Sequence, residues 1–126
     1  MADTKDYLVQ PQENGNILIS AEVVASIAAN AVREVEGVYG LSLTSTLDLS
    51  AILGKKNLRK GISVTIDGDQ IEIGCNLIVR LGETVMTVAK NVQDSIAGEV
   101  EAMTGIRPTK VNVHVCGVAA PMETKK

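Results

Sequence analysis

The chain has 126 residues, 45% of them hydrophobic, which suits one domain with a real core and leaves little room for a second. Trp and Phe are absent and Tyr7 and Tyr39 are the only aromatics, so the core must be built from Val, Ile, Leu and Ala, and ring stacking on bases is nearly ruled out. A formal net charge of −3 disfavours long-range attraction to phosphate backbones or anionic lipid.

In chain order, residues 1–14 are polar, contain Pro11 and read as a flexible tail, with Tyr7-Leu8-Val9 its one sticky stretch. A single α+β domain is expected over residues 15–118, followed by a second flexible tail over 119–126. Ile17 to Ile19 reads as a short strand. Ser20 then stands at a natural N-cap, with Glu22 in the first turn of a helix whose Val24, Ile27, Ala28, Ala31 and Val35 share one stripe. Gly37 is expected to end that helix. Residues 41–60 read as a long loop, and its end carries a basic cluster of Lys55, Lys56, Arg59 and Lys60. Such a cluster is either a solvated edge or a place for an anion or a partner.

The strongest pattern follows. Ile62, Val64 and Ile66 alternate with polar residues, Asp67-Gly68 breaks the run, and Ile71, Ile73, Cys75, Leu77, Val79 and Leu81 resume it. This is a β-hairpin signature, and a turn at Asp67-Gly68 would put Val64 opposite Ile71 and Ile62 opposite Ile73. A second helix is expected from near Glu83 or Thr84, with Val85, Val88, Ala89, Val92, Ile96, Val100 and Met103 on its apolar stripe and Gly105 at its end. Gly98 inside it implies either a close contact or a locally weak helix. Val111, Val113 and Val115 then alternate as a last strand. The order strand, helix, strand, strand, helix, strand predicts an α+β two-layer sandwich, with two helices on one face of a four-stranded antiparallel sheet and the ferredoxin-like topology as the leading expectation.

Chemistry is sparse. His114 is the only histidine, and Cys116 two residues on gives the nearest approach to an imidazole–thiol pair, without a third group to orient it. Cys75 falls on the aliphatic face and Cys116 on the polar one, which argues against a disulfide. No glycine-rich phosphate loop precedes either helix, and Asp67 and Asp69 serve a turn. No enzyme, cofactor or metal is expected. The open sheet face offers Ser63, Thr65, Gln70, Glu72, Asn76, Ile78, Arg80, Asn112 and His114, without aromatics, so nucleic-acid binding is disfavoured. Ile78, flanked by polar residues, together with Gly74 on that face instead suits another protein surface or a second copy of the chain. No apolar run approaches the roughly 20 residues that span a bilayer, so the chain is expected to be cytoplasmic and not inserted in the membrane by itself.

Several stretches together resemble the alkaline-shock, Gls-type family of bacterial envelope stress response proteins. They are Gly15-Asn16-Ile17-Leu18-Ile19-Ser20 with Glu22-Val23-Val24, Glu34-Val35-Glu36-Gly37-Val38, Lys60-Gly61-Ile62-Ser63-Val64, Val88-Ala89-Lys90-Asn91-Val92-Gln93, and Thr104-Gly105-Ile106 leading to Val111-Asn112-Val113-His114-Val115. The resemblance implies a non-enzymatic cytoplasmic protein of envelope homeostasis. It also implies a membrane-anchored partner protein, as some relatives have, and together with the sparse chemistry it leads to the expectation of an adaptor that also associates with copies of itself as a homo-oligomer. An alternative it carries is regulation of acetyl-CoA carboxylase, an enzyme of lipid synthesis. The residues offered for interaction are Lys55, Lys56, Arg59, Lys60, Ile78, Arg80 and His114.

Overall fold

Two alternating runs set the frame. Ile62–Asp67 (β5) and Gln70–Arg80 (β6) pair antiparallel, with Ile62, Val64 and Ile66 of one and Ile71, Ile73, Cys75, Leu77 and Val79 of the other buried on a single face. The computed structural model describes residues 7–42, 57–59, 61–68 and 70–120. The hairpin closes one step later than expected. Asp67 pairs with Gln70, so Val64 lies opposite Ile73 and Ile62 opposite Cys75. The cause is Gly68, whose φ of 66° puts the left-handed residue first in the two-residue loop. Because the register moves by two, the same side chains stay on the same face.

The other elements gather around β6. Val38–Leu41 (β3) pairs antiparallel with one end of it, and Asn57–Arg59 (β4) pairs with β5. These short strands take up Leu41 and Asn57–Arg59 at the two ends of the stretch read as a long loop over 41–60; residues 43–56 and 60 lie outside the described residues. On the other side of β6 lies Lys110–Ala119 (β7), which runs parallel to it. That is a departure from an all-antiparallel sheet. The helix between β6 and β7 brings the chain back to its starting end, so the two strands leave in the same direction, as in a βαβ unit.

Both helices cover the aliphatic face. Ala21–Arg33 (α1) begins at Ser20, whose Oγ accepts the Val23 N–H at 3.2 Å. It buries Val24, Ile27, Ala28, Ala31 and Val32 on the sheet and on its neighbour. It stops at Arg33 rather than Gly37. Gly37 instead takes φ 94° in the following turn, where an added Cβ would come within 2.7 Å of Val88 Cγ2. Val85–Thr104 (α2) buries Val88, Val92, Ile96, Ala97 and Val100 and ends on Gly105 at φ 82°. Met103 completes the apolar stripe in sequence but is exposed. The helices touch through small residues, and Ser95 Oγ donates to the Ala31 carbonyl at 3.2 Å.

The chain before residue 15 also needs correction. Tyr7–Gln12 (β1) pairs with Gly15–Ser20 (β2) as a separate antiparallel hairpin, and Leu8 is completely buried in the core. One docked leucine and a strand partner turn a polar stretch into ordered structure. At the far end β7 continues through Ala119, one residue into the segment read as tail; residues 1–6 and 121–126 lie outside the described residues.

Candidate interaction surface

The sheet face away from the helices carries the even-numbered residues of β6 and, as far as His114, of β7, after which the register shift brings Gly117 onto it. Their register places Asn76 beside His114, Gly74 beside Asn112 and Ile78 beside Gly117. His114 Nδ1 stands 3.4 Å from Asn76 Oδ1, a contact at the limit of a hydrogen bond. The Cys116 thiol donates to the Leu77 carbonyl at 3.6 Å, so it is engaged with backbone rather than with the imidazole. The imidazole–thiol pair weighed from sequence is therefore not assembled. Burial pushes the Cys75 thiol up to about 12, with a smaller push from Cys116, so Cys75 stays protonated and inert at neutral pH. Both cysteines are free. Among the described residues no three His, Cys, Asp or Glu side chains gather as metal ligands would.

This face is less open than its polar residues suggest. Asn76 is only 5% exposed and Ile78 is half-buried, and a Cβ added at Gly117 would stand 3.9 Å from Ile78 Cγ1. Gly74 is there for clearance: a Cβ would come within 2.8 Å of Ser63 Oγ on the neighbouring strand. Arg80 and His114 are exposed at separate points along the face. Lys55, Lys56 and Lys60 lie outside the described residues, and Arg59 is described only as backbone, closing β4. The structure thus brings Ile78 and His114 onto one face and leaves the basic cluster unplaced.

Sequence reasoning missed a second group. Leu81 is 66% exposed, Met86 75% and Val118 49%. They lie toward one end of the molecule, since the Leu81 N–H donates to the Ala119 carbonyl at 2.9 Å and Met86 lies in the first turn of α2. The available signal was faint: Leu81 closes an alternating run and Met86 falls off the helix stripe, but neither shows from sequence that the chain leaves it uncovered. A second feature is a groove of about 510 Å³ between α1 and β3, where Val32 and Leu41 supply apolar walls and Arg33 and Tyr39 the polar lip. Among the described residues no helix is long and apolar enough to cross a membrane.

Comparison with known proteins agrees with the family likeness seen in the sequence. Residues 9–120 match the family described as the ASP23 family, cell envelope-related function. The uncharacterized protein YloU of Bacillus subtilis is 35% identical over 106 residues, covering 82% of this chain and 88% of that one. YqhY of the same organism, also uncharacterized, is 31% identical over 104 residues, covering 82% and 77%. Among solved structures, a MamM CTD covers 84% of this chain and 91% of its own at 16% identity, with a TM-score of 0.48. The match over nearly the whole described body makes the chain a member of the ASP23, or alkaline-shock, family, whose described function is related to the cell envelope.

Proposed function

We propose that the protein is a non-enzymatic adaptor or scaffold of the cell envelope. It acts in the cytoplasm by contact with other proteins and is held near the membrane through a membrane-anchored partner rather than by insertion. The observation that carries this reading is the exposed apolar end formed by Leu81, Met86 and Val118, in a chain whose family function is envelope-related. Large exposed aliphatic side chains gathered at one place favour a partner over solvent. Ile78 and His114 give the neighbouring sheet face a mixed apolar and polar character suited to the same kind of contact.

The test is fractionation of cells producing the chain at native level, comparing wild type with Leu81→Lys combined with Met86→Lys. Wild type is expected to sediment in part with envelope membranes and to be released by washing at alkaline pH, as a peripherally held protein is. The double variant, folded by circular dichroism, is expected to move to the soluble fraction. Equal partition of both proteins, or a substrate turned over by the purified chain and lost on changing one side chain, would sink the reading.

A further inference from the structure

We propose that the free edge of β7 is a self-association surface, where a second copy of this chain adds antiparallel and extends the sheet across both molecules. The proposal deepens the adaptor reading by naming one of its partners and the strand that receives it.

Backbone direction is the first support. In β6 the Asn76 N–H donates to Gly61 and its carbonyl accepts from Ser42, both at 2.9 Å, while the Arg80 N–H donates to Gly37 at 2.9 Å. Even residues of β6 therefore turn toward β5 and β3, and odd ones toward β7, as the 2.8 Å bond from the Thr109 N–H to the Ile71 carbonyl shows. In a parallel ladder the residue opposite an inward-facing one points its own N–H and C=O away. Val111, Val113 and Val115, opposite Ile73, Cys75 and Leu77, thus aim their backbone groups at the outer edge. The Val111 carbonyl confirms the direction, since it is met there by Gln93 Nε2 at 2.8 Å.

The edge is open only over a short window. Gln93 covers it at Val111, and beyond Val115 the β6–β7 register shifts. Between these limits Val113 and Val115 present two donors and two acceptors, and β7 has no other strand partner among the described residues. From Val111 to Ala120 there is no proline and no Asp, Glu, Lys or Arg. Proline and charge are the usual devices that keep exposed edges from pairing.

The window is complementary to itself, and that selects a second copy as its occupant. A two-fold axis at His114 sets Val113 of one copy against Val115 of the other, with four backbone hydrogen bonds and no like charges opposed. An acidic or basic peptide would find no countercharge there. Both valines are only partly buried against the core on the helix side, although their neighbours Cys75 and Leu77 in β6 are fully covered. Met86 lies seven residues before Gln93, hence on the same side of α2, and Val118 prolongs the strand, so exposed apolar groups flank the same edge.

Sedimentation velocity of the full chain over a concentration series tests this, with Val113→Pro and Met86→Glu beside wild type. The Val113 amide points outward, so proline there removes no bond to β6 and suits an edge position. Wild type is expected to pass from monomer to dimer as concentration rises. Val113→Pro is expected to stay monomeric with its fold intact by circular dichroism, and Met86→Glu to weaken dimerisation at least tenfold. Met86→Glu, at a side chain that packs on almost nothing, carries the test if the proline variant does not fold. A wild type that is monomeric throughout, or folded variants that dimerise as wild type does, would overturn the proposal. Envelope fractionation of Val113→Pro, which leaves Leu81 and Met86 intact, reads separately on the adaptor reading, which survives if that variant still sediments with membranes.

Discussion

β5 and β7 flank the same central strand with the same alternation of aliphatic and polar residues, yet they end in different environments. Ile62, Val64 and Ile66 of β5 are buried, with α1 packed over them and β4 beyond. Val113 and Val115 of β7 are only partly buried, with no further strand beyond them among the described residues. An identical pattern therefore serves two ends. On the inner side it supplies the cohesion of the fold, and on the outer side it leaves apolar surface and unpaired backbone for something else to meet.

The sharpest way to break that contrast is truncation. Leu77→Ala, in the fully buried centre of β6, should lower unfolding free energy by about 2–5 kcal/mol in urea titrations. Val113→Ala should cost about 1 kcal/mol or less, measured on dilute protein. Equal losses at the two positions would mean that β7 is as much core as β6.

Cys75 extends the test to pH. It sits on the inner face, and its thiol holds its proton up to about 12 against an ordinary 9, because burial disfavours the thiolate. The unfolded chain loses that proton near 9 and the folded one does not, so the stabilising difference is complete below pH 9 and is lost between 9 and 12. Unfolding free energy should fall by about 1.4 kcal/mol per pH unit across that window from this group alone. Comparing the pH slope with that of Cys75→Ala checks the attribution. At pH 8 a thiol reagent should modify Cys116 alone in the native protein and both cysteines in denaturant.

The helices offer a smaller contrast of the same kind. Ser20 caps α1 with its hydroxyl, whereas Thr84 at the start of α2 makes no side-chain cap bond. Ser20→Ala should therefore cost about 1 kcal/mol, with Thr84→Ala close to neutral, by thermal or urea unfolding. Smallest and opposite in sign is Gly98→Ala. An added Cβ at Gly98 meets nothing within 4 Å, so the substitution should raise stability by about 0.5–1 kcal/mol through helix propensity.

Legibility in the sequence follows the inner and outer division. The hairpin, the α2 stripe, the Ser20 cap and the Gly105 stop were all readable, because each is fixed by local chemistry or by periodicity over many residues. β1 was not, since Leu8 becomes part of the core only through contacts far along the chain, and Pro11 argued locally for a tail. Nor was the parallel attachment of β7, because alternation names a strand without giving its direction. β3 and β4 are too short to stand out from the residues around them. Alternation put Ile78 and His114 together on the sheet face away from the helices, where the structure has them, but it gave no sign of the exposed Leu81, Met86 and Val118. Exposure of an aliphatic residue depends on where the neighbouring element stops, and no sequence period encodes that.

Amide hydrogen exchange along β7, read by NMR at low and high protein concentration, addresses the edge most directly. The Val113 and Val115 amides should exchange rapidly in dilute protein and become protected as concentration rises, while Asn112 and His114, bonded to β6, stay protected throughout. Protection at Val113 and Val115 that is the same at every concentration would contradict the account.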